Sequence, residues 1–357
     1  MTSAYLNRIA TAVPPNDVHA AFLHFARLQL ATDRRASLLF KRMAEKGGIE
    51  HRFSYLVPAT DLDGDVLDTE ALFVRGRFPN TAARMRFFET HAPTLAAEAV
   101  ERLLTVDDRR RVSHLLITCC TGLSSPGLDM ELIERCGLSG SVERTTLGFM
   151  GCYAAINALK LARHIVRSDA SARILIVNLE LCTVHLKETT DLEQILSFLL
   201  WGDGCAASLV TGEPGGVELD SFKAVLAAET RELMTWNIRD SGFDMILSGQ
   251  VPAAVHDAVR GHAESILDGA PASSIDLWGV HPGGRSILDA VERALDLGPA
   301  ALGASRDVLR RFGNMSSATV MFVLESLLRR APAGAVGCAM AFGPGLVAET
   351  MRFHAVG

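Results

Sequence analysis

Two stretches of this chain follow one plan at a fixed distance. "GCYAAINALKLARHIVRSDASARILIV" starts at residue 151 and "GNMSSATVMFVLESLLRRAPAGAVGCAM" starts at residue 313, an offset of 162 residues. Each runs glycine, polar residue, small-residue helix start, helix, loop, buried strand. The same offset carries 152 onto 314 and 173 onto 335. It also carries Cys119, after the strand "SHLLIT", onto His281, after the strand "IDLWGV", so both pairs, Cys119 to Cys152 and His281 to Asn314, span 33 residues. Chance likeness between two α/β units is one explanation. A duplicated domain with pseudo-twofold symmetry is the sharper one, and it brings equivalent strand ends and helix N-termini together near one axis.

The rest of the chain fits a large α/β protein. "NDVHAAFLHFARLQL" reads as an amphipathic helix capped by Asn16 or Asp17, and "RASLLFKRMAEK" and "APTLAAEAVERLLT" as two more. "VSHLLITCC", "ARILIVNLELC", "IDLWGV", "AVGCAMAF" and "LVAETMRF" read as buried strands. "TGEPGG" at 211–216 breaks the pattern and predicts a boundary between halves 1–211 and 212–357. With 357 residues, 48% of them hydrophobic, there is enough chain to bury a large core.

Several classes are disfavoured. A net charge of −6 with scattered Lys and Arg gives no face for nucleic acid. The first residues lack the apolar core of a signal peptide, and no apolar run approaches the ~20 residues of a spanning helix. Seven cysteines in no zinc-like spacing predict reduced thiols, hence a cytoplasmic protein without a metal.

Under the pseudo-symmetry, Cys152 and Asn314 sit at helix starts facing one cleft, with His281 at a strand end beside them. Unpaired N–H groups and the dipole at a helix N-terminus bias a cysteine towards thiolate, and a neighbouring imidazolium adds to the bias. Asn314 offers a neutral donor to an oxyanion. Nucleophile, base and oxyanion donor are the parts of thioester acyl transfer.

At these residues the chain resembles the type III polyketide synthases, the chalcone-synthase-like branch of the thiolase fold. The resemblance rests on "GC" at 151–152, "WGDGCAA" at 201–207, "HPGGRSILDAVE" at 281–292, "RRFGNMSSATVMFVLE" at 310–325 and "AFGPGLVAET" at 341–350. It implies duplicated βαβ-rich halves in a layered αβαβα core. It also implies a homodimer that takes acyl-CoA and malonyl-CoA as substrates, with no carrier protein and no bound cofactor. In that family Cys152 matches the nucleophile that takes the starter and growing chain. His281 matches the imidazole that keeps it ionised and binds the thioester carbonyl, and Asn314 the amide that orients malonyl-CoA. Arg42 and Lys46 match cations that meet CoA phosphates; a third such position is Leu39 here, with Lys41 as the nearby cation. Ser286 matches a backbone N–H on the pantetheine arm, and Pro344 and Gly345 belong to the last substrate-binding motif.

The departures concern the substrate. The segment "CTVHLKETTDLEQ" has neither the gatekeeper Phe nor the Pro of plant members, which leaves His185 or Leu186 for the gate. Cys120 replaces a Thr lining the cavity, and Ser125 a Met that crosses the dimer interface. Trp236 and Met245 fall near other lining positions, and Trp201 and Ala341 replace a Phe and a Gly. The pattern implies an aliphatic starter in a tunnel past Ser125, extended by malonyl units and released as a pyrone, resorcinol or phloroglucinol. The rival readings are an initiating ketoacyl synthase fed by acyl carrier protein and a non-catalytic acyl-binding protein on this fold.

Overall fold

The computed structural model describes residues 2–356. One mixed sheet of nine strands runs through it: β1 (Tyr5–Ala12), β2 (His114–Cys119), β3 (Glu143–Gly148), β4 (Arg173–Leu181), β5 (Asp203–Thr211), β6 (Gly216–Leu226), β7 (Leu277–Val280), β8 (Val336–Gly343) and β9 (Val347–Val356), in the order β7-β8-β9-β6-β1-β5-β4-β2-β3. The seam between β1 and β6 is thin, with only Tyr5 opposite Glu218 and Leu6 opposite Val217. Two sub-sheets meet there, β3-β2-β4-β5-β1 and β6-β9-β8-β7, each mixing parallel and antiparallel pairs.

The helices used below are α1 (His19–Gln29), α2 (Arg34–Gly47), α3 (Thr81–Leu103), α4 (Leu128–Cys136), α5 (Ala154–Ser168), α6 (Val251–Gly261), α7 (Arg285–Ala294) and α8 (Thr319–Leu328). They form the outer and middle layers. The apolar faces of α5 and α8 share one core with Leu116, Ile174 and Val210 of the first sub-sheet and Ala339, Met351 and Phe353 of the second. The opposite face of the first sub-sheet, through Leu115, Val177 and Leu209, packs on Leu95, Ala96 and Ala99 of α3. That of the second, through Trp278, Cys338 and Met340, packs on α6 and α7. The result is the αβαβα layering. α5 and α8 are apolar over most of their surface because sheet lies on both sides of them.

Strands obey the 162-residue offset closely: β4 at 173–181 corresponds to β8 at 336–343. Three expectations about helices need correcting. The cap of α1 is Val18, with no side-chain capping bond. Asn16 and Asp17 belong to a short strand paired with 53–54, and Asp17 accepts from the amides of His19 and Arg52. The helix expected from residue 92 begins at Thr81, capped by Asn80, and carries Pro93 in its interior. Finally, α5 and α8 are each preceded by a single 3₁₀ turn, Gly151–Tyr153 and Ser316–Ala318, so Cys152 precedes the α-helix proper.

Candidate active site

The layering places the ends of β2, β7 and β8 and the starts of α5 and α8 around one point. Gly151 reaches it with φ 78°, and a Cβ there would lie 2.4 Å from Cδ of Pro344, at the end of β8. Only glycine permits that backbone and that approach. Cys152 follows, 7% exposed, and its Sγ donates to Oγ of Ser316 at 3.8 Å. Asn314 is held from both sides: its N–H donates to the Leu200 carbonyl at 2.7 Å, and its own carbonyl accepts from Gly202 at 3.0 Å. Its Oδ1 accepts from the Ser316 amide at 2.9 Å, while Nδ2 has only the Gly283 carbonyl at 3.4 Å. His281 continues β7, its N–H bonded to the Met340 carbonyl at 2.7 Å. It is 1% exposed, yet neither ring nitrogen has a partner among the described residues. An unpaired buried imidazole costs free energy unless a ligand supplies what it lacks.

Burial acts on the charge of both Cys152 and His281. Burial pushes the Cys152 thiol up to about 12; the hydrogen bond to Ser316 and contact with Asn314 pull the other way, and the charge of Glu180 adds to the rise. Burial alone pulls the His281 imidazole down to about 3. In the unliganded chain burial thus works against the thiolate–imidazolium pair that the sequence leads one to expect. Desolvation outweighs the helix end here, because Cys152 lies in the 3₁₀ turn and both groups are shut off from water.

Glu180 was not singled out from the sequence. It lies fully buried in β4, and its carboxylate accepts from the Cys120 amide (2.9 Å), Thr121 Oγ1 (2.9 Å) and Ser317 Oγ (2.6 Å). Burial raises its carboxyl to about 7 against the pull of those bonds. A glutamate inside "ILIVNLEL" was the available signal, since a charge in a buried strand demands partners.

The pocket residues divide into groups. His185 is fixed rather than mobile: Nε2 donates to the Thr121 carbonyl at 2.7 Å, Nδ1 accepts from the Phe243 amide at 3.1 Å, and the ring stacks on Phe243 at 4.2 Å. Trp236 and Met245 face each other across a hairpin (Met234–Arg239, Gly242–Leu247), and Trp236 Nε1 donates to the Cys120 carbonyl at 2.7 Å. Cys120 Sγ accepts from the Gly151 amide at 3.1 Å. Together His185, Trp236 and Cys120 form a rigid wall. Ser125 is exposed, in a separate cavity of about 400 Å³ beside β3. Leu186 lines another, smaller one of about 80 Å³, under α1. Arg42 and Lys46 are exposed on α2, and Ser286 is exposed in the first turn of α7. Arg285 joins these two elements by donating to the Lys46 carbonyl at 3.1 Å. Gly345, with φ 107°, follows Pro344 at the Cys152 turn. Among the described residues no group of acidic, Cys or His side chains could hold a metal ion.

Comparison with known proteins decides the family. The N-terminal domain of chalcone and stilbene synthases matches residues 2–214 and the C-terminal domain matches 218–357. The chain belongs to the chalcone and stilbene synthase family. Within it, the chain is 31% identical to the alpha-pyrone synthesis polyketide synthase-like Pks18 of Mycobacterium tuberculosis, over 99% of this chain and 92% of that protein. It is 33% identical to bisdemethoxycurcumin synthase of Oryza sativa subsp. japonica, over 97% of this chain and 91% of that protein. Its fold matches the type III polyketide synthase domain of Steely1 from Dictyostelium with a TM-score of 0.88, at 23% identity, covering 99% of this chain and all of that domain. It is thus an acyl-transferring enzyme of the type III polyketide synthase family, in which CoA thioesters are substrates and no bound cofactor is needed.

Proposed function

We propose that this chain extends an aliphatic acyl starter, held on Cys152, by repeated decarboxylative condensation with malonyl-CoA and releases a cyclised pyrone, resorcinol or phloroglucinol. The observation that supports the reading is a buried imidazole whose ring nitrogens lack a partner among the described residues, two residues from the Gly283 carbonyl that Asn314 Nδ2 meets, with the buried Cys152 thiol on Ser316, two residues after Asn314. In loading, the Cys152 proton passes to His281, sulfur attacks the starter carbonyl, and the proton leaves with CoA. Burial disfavours the charged form of each, so the proton transfer is placed within the encounter with the thioester. In extension, the malonyl carboxylate leaves as carbon dioxide and its electron pair becomes an enolate. Nδ2 of Asn314 and the ring N–H of His281 donate to the enolate oxygen. Its carbon attacks the Cys152 thioester, the new carbon–carbon bond forms, and the sulfur leaves. No strong base is required.

Arg42 and Lys46 on α2, beside Ser286, offer charge and backbone to the CoA phosphates and arm. Halves 1–211 and 212–357 contribute the nucleophile and the His–Asn pair respectively. A second copy pairing along β3 would complete a homodimer: β3 is a sheet edge with five of its six residues exposed, an arrangement that invites pairing. Seven free cysteines, all buried, suit a reducing cytoplasm. No helix among the described residues is long and apolar enough to cross a membrane.

Incubation with labelled malonyl-CoA and acyl-CoA starters of increasing length tests the reading. Released carbon dioxide and a new product, both requiring CoA thioesters alone, are expected, with Cys152→Ala folded and forming no product. Product formation by that variant, or none by the parent with any starter, contradicts it.

A further inference from the structure

Helix α2 concentrates positive charge against the trend of the chain. Its fourteen residues hold five cations, Arg34, Arg35, Lys41, Arg42 and Lys46, and one acid, Glu45, in a protein of net charge −6. The side chains it buries are Ala36 and Phe40. The opposite face carries Arg35, Leu39, Arg42 and Lys46, spaced by four, three and four residues, so they form one row. Leu39 breaks that row: a leucine 43% exposed stands where a cation would continue it.

A further charge arrives from another element. Arg285 opens α7, and its Nη1 donates to the Lys46 carbonyl at 3.1 Å. That carbonyl lies in the last turn of α2, where carbonyls lack intrahelical partners, so the plain reading is a helix cap. Two observations go further. First, the cap uses one of the five N–H groups of a guanidinium. The Arg285 side chain is 57% exposed, and the Asp289 carboxylate stands 3.8 Å from its Nε, beyond hydrogen-bond reach. Asp289 is engaged instead by Arg306 at 2.7 Å. The charge of Arg285 is therefore largely uncompensated.

Second, its place along the chain is informative. From His281 the backbone runs through Gly283, whose carbonyl meets Asn314, to Arg285 and Ser286 at the N-terminus of α7. Reaction centre, arm contact and α2 cations thus follow one another, and the Arg285 guanidinium reaches from the second to the third. CoA presents its groups in the same order: thioester, pantetheine arm, diphosphate, then adenosine with its 3′-phosphate.

We infer that Arg285 is a substrate-binding residue that holds the CoA diphosphate and supplies the charge absent at Leu39. A guanidinium suits that group, because its planar fork matches two phosphate oxygens while another N–H keeps the Lys46 carbonyl. The same contact ties α2 to α7, so the cation row and the arm site share one geometry. The inference rests on the CoA-dependent condensation proposed above.

The test uses the whole chain and reads kcat/KM for carbon dioxide release from malonyl-CoA, malonyl-3′-dephospho-CoA and malonyl-pantetheine. Arg285→Gln keeps a donor for the Lys46 carbonyl and removes the charge. The ratio of malonyl-CoA to malonyl-pantetheine is expected to fall about tenfold, the worth of one charge-assisted hydrogen bond, and chiefly through KM. The ratio of malonyl-3′-dephospho-CoA to malonyl-pantetheine is expected to fall as far. Arg285→Lys, which keeps the charge without the fork, is expected to lie between the parent and Arg285→Gln. Unchanged ratios, including an equal slowing of all three thioesters, overturn the assignment and leave Arg285 a cap of α2. A fall confined to malonyl-CoA places the contact on the 3′-phosphate and overturns it as well. Release of carbon dioxide by the parent from none of the three removes the condensing reading, and the assignment with it.

Discussion

At the start of α5, Gly151 with φ 78° delivers Cys152; at the start of α8, 162 residues on, Gly313 with φ 70° delivers Asn314. Each glycine presses on the other half of the molecule. A Cβ on Gly151 would meet Pro344 at 2.4 Å, and one on Gly313 the Leu200 carbonyl at 2.6 Å. The two starts then diverge. The 3₁₀ turn begins at Gly151 in the first and waits until Ser316 in the second. Asn314 consequently lies outside its turn, and its Oδ1 is used to hold the Ser316 amide. Cys152 lies inside its turn, and its sulfur meets Ser316 at 3.8 Å and the side chain of Asn314. A duplicated frame has thus produced one side chain pinned for positioning and one left free to react.

The largest expected effect separates the two sites by pH. With its thiol pushed up to about 12, Cys152 reacts only through a trace of thiolate. Its alkylation by iodoacetamide in the unliganded chain should rise about tenfold per pH unit between pH 7 and 10. A flat profile over that interval would show a standing ion pair with His281 and break the account of neutral partners.

Next comes the division of labour. Asn314→Ala should slow malonyl-CoA decarboxylation by ~10²–10³-fold, the worth of one oxyanion donor, while changing Cys152 alkylation little. Asn314→Asp keeps the oxygen facing Ser316 and loses the donor, so it should show the same deficit with the turn intact. His281→Ala should impair both decarboxylation and acyl loading. Equal slowing of alkylation by Asn314→Ala and His281→Ala would erase the contrast between the sites.

Glu180 joins the two starts through Ser317 on one side and Cys120 and Thr121 on the other. Its folded pKa of about 7 lies above the ordinary 4.5, so the folded chain binds this proton more tightly. The stability so contributed is present below pH ~4.5 and lost as pH rises through about 7, by on the order of 3 kcal/mol. Asp203, raised by burial to about 7, acts in the same sense. Glu180→Gln should therefore flatten part of the fall in urea-unfolding stability between pH 5 and 8. An unchanged pH slope would count against a proton held there.

The smallest effect concerns the frame itself. Gly151→Ala and Gly313→Ala should each cost ~1–3 kcal/mol of stability, because both positions combine a left-handed backbone with a close neighbour. A loss at only one of them would show that the two starts are less alike than their geometry indicates.

The core strands were legible because they are short apolar runs, and the offset of 162 residues carried Cys152 onto Asn314 before any coordinates. Much of the surrounding site was not. Glu180 takes its partners from segments near residues 120 and 317, and no spacing in sequence announces that convergence. Trp236 and Met245 are cross-strand neighbours in a hairpin whose bend, Asp240–Ser241, lacks the usual turn signature. Pro93 obscured the first three turns of α3, which tertiary packing sustains through Phe87, Phe88 and Arg84. Local sequence favours a thiolate at Cys152, whereas burial, a property of the whole fold that no local stretch encodes, works against it.

The central claim is that Cys152 carries the chain. Brief incubation with dodecanoyl-CoA alone, followed by digestion and mass spectrometry, tests it most directly. The account predicts one dodecanoyl group on the peptide containing Cys152, released by neutral hydroxylamine as a thioester must be, and none on that peptide in Cys152→Ala. No acyl group on that peptide, or the acyl group on another cysteine instead, would contradict it.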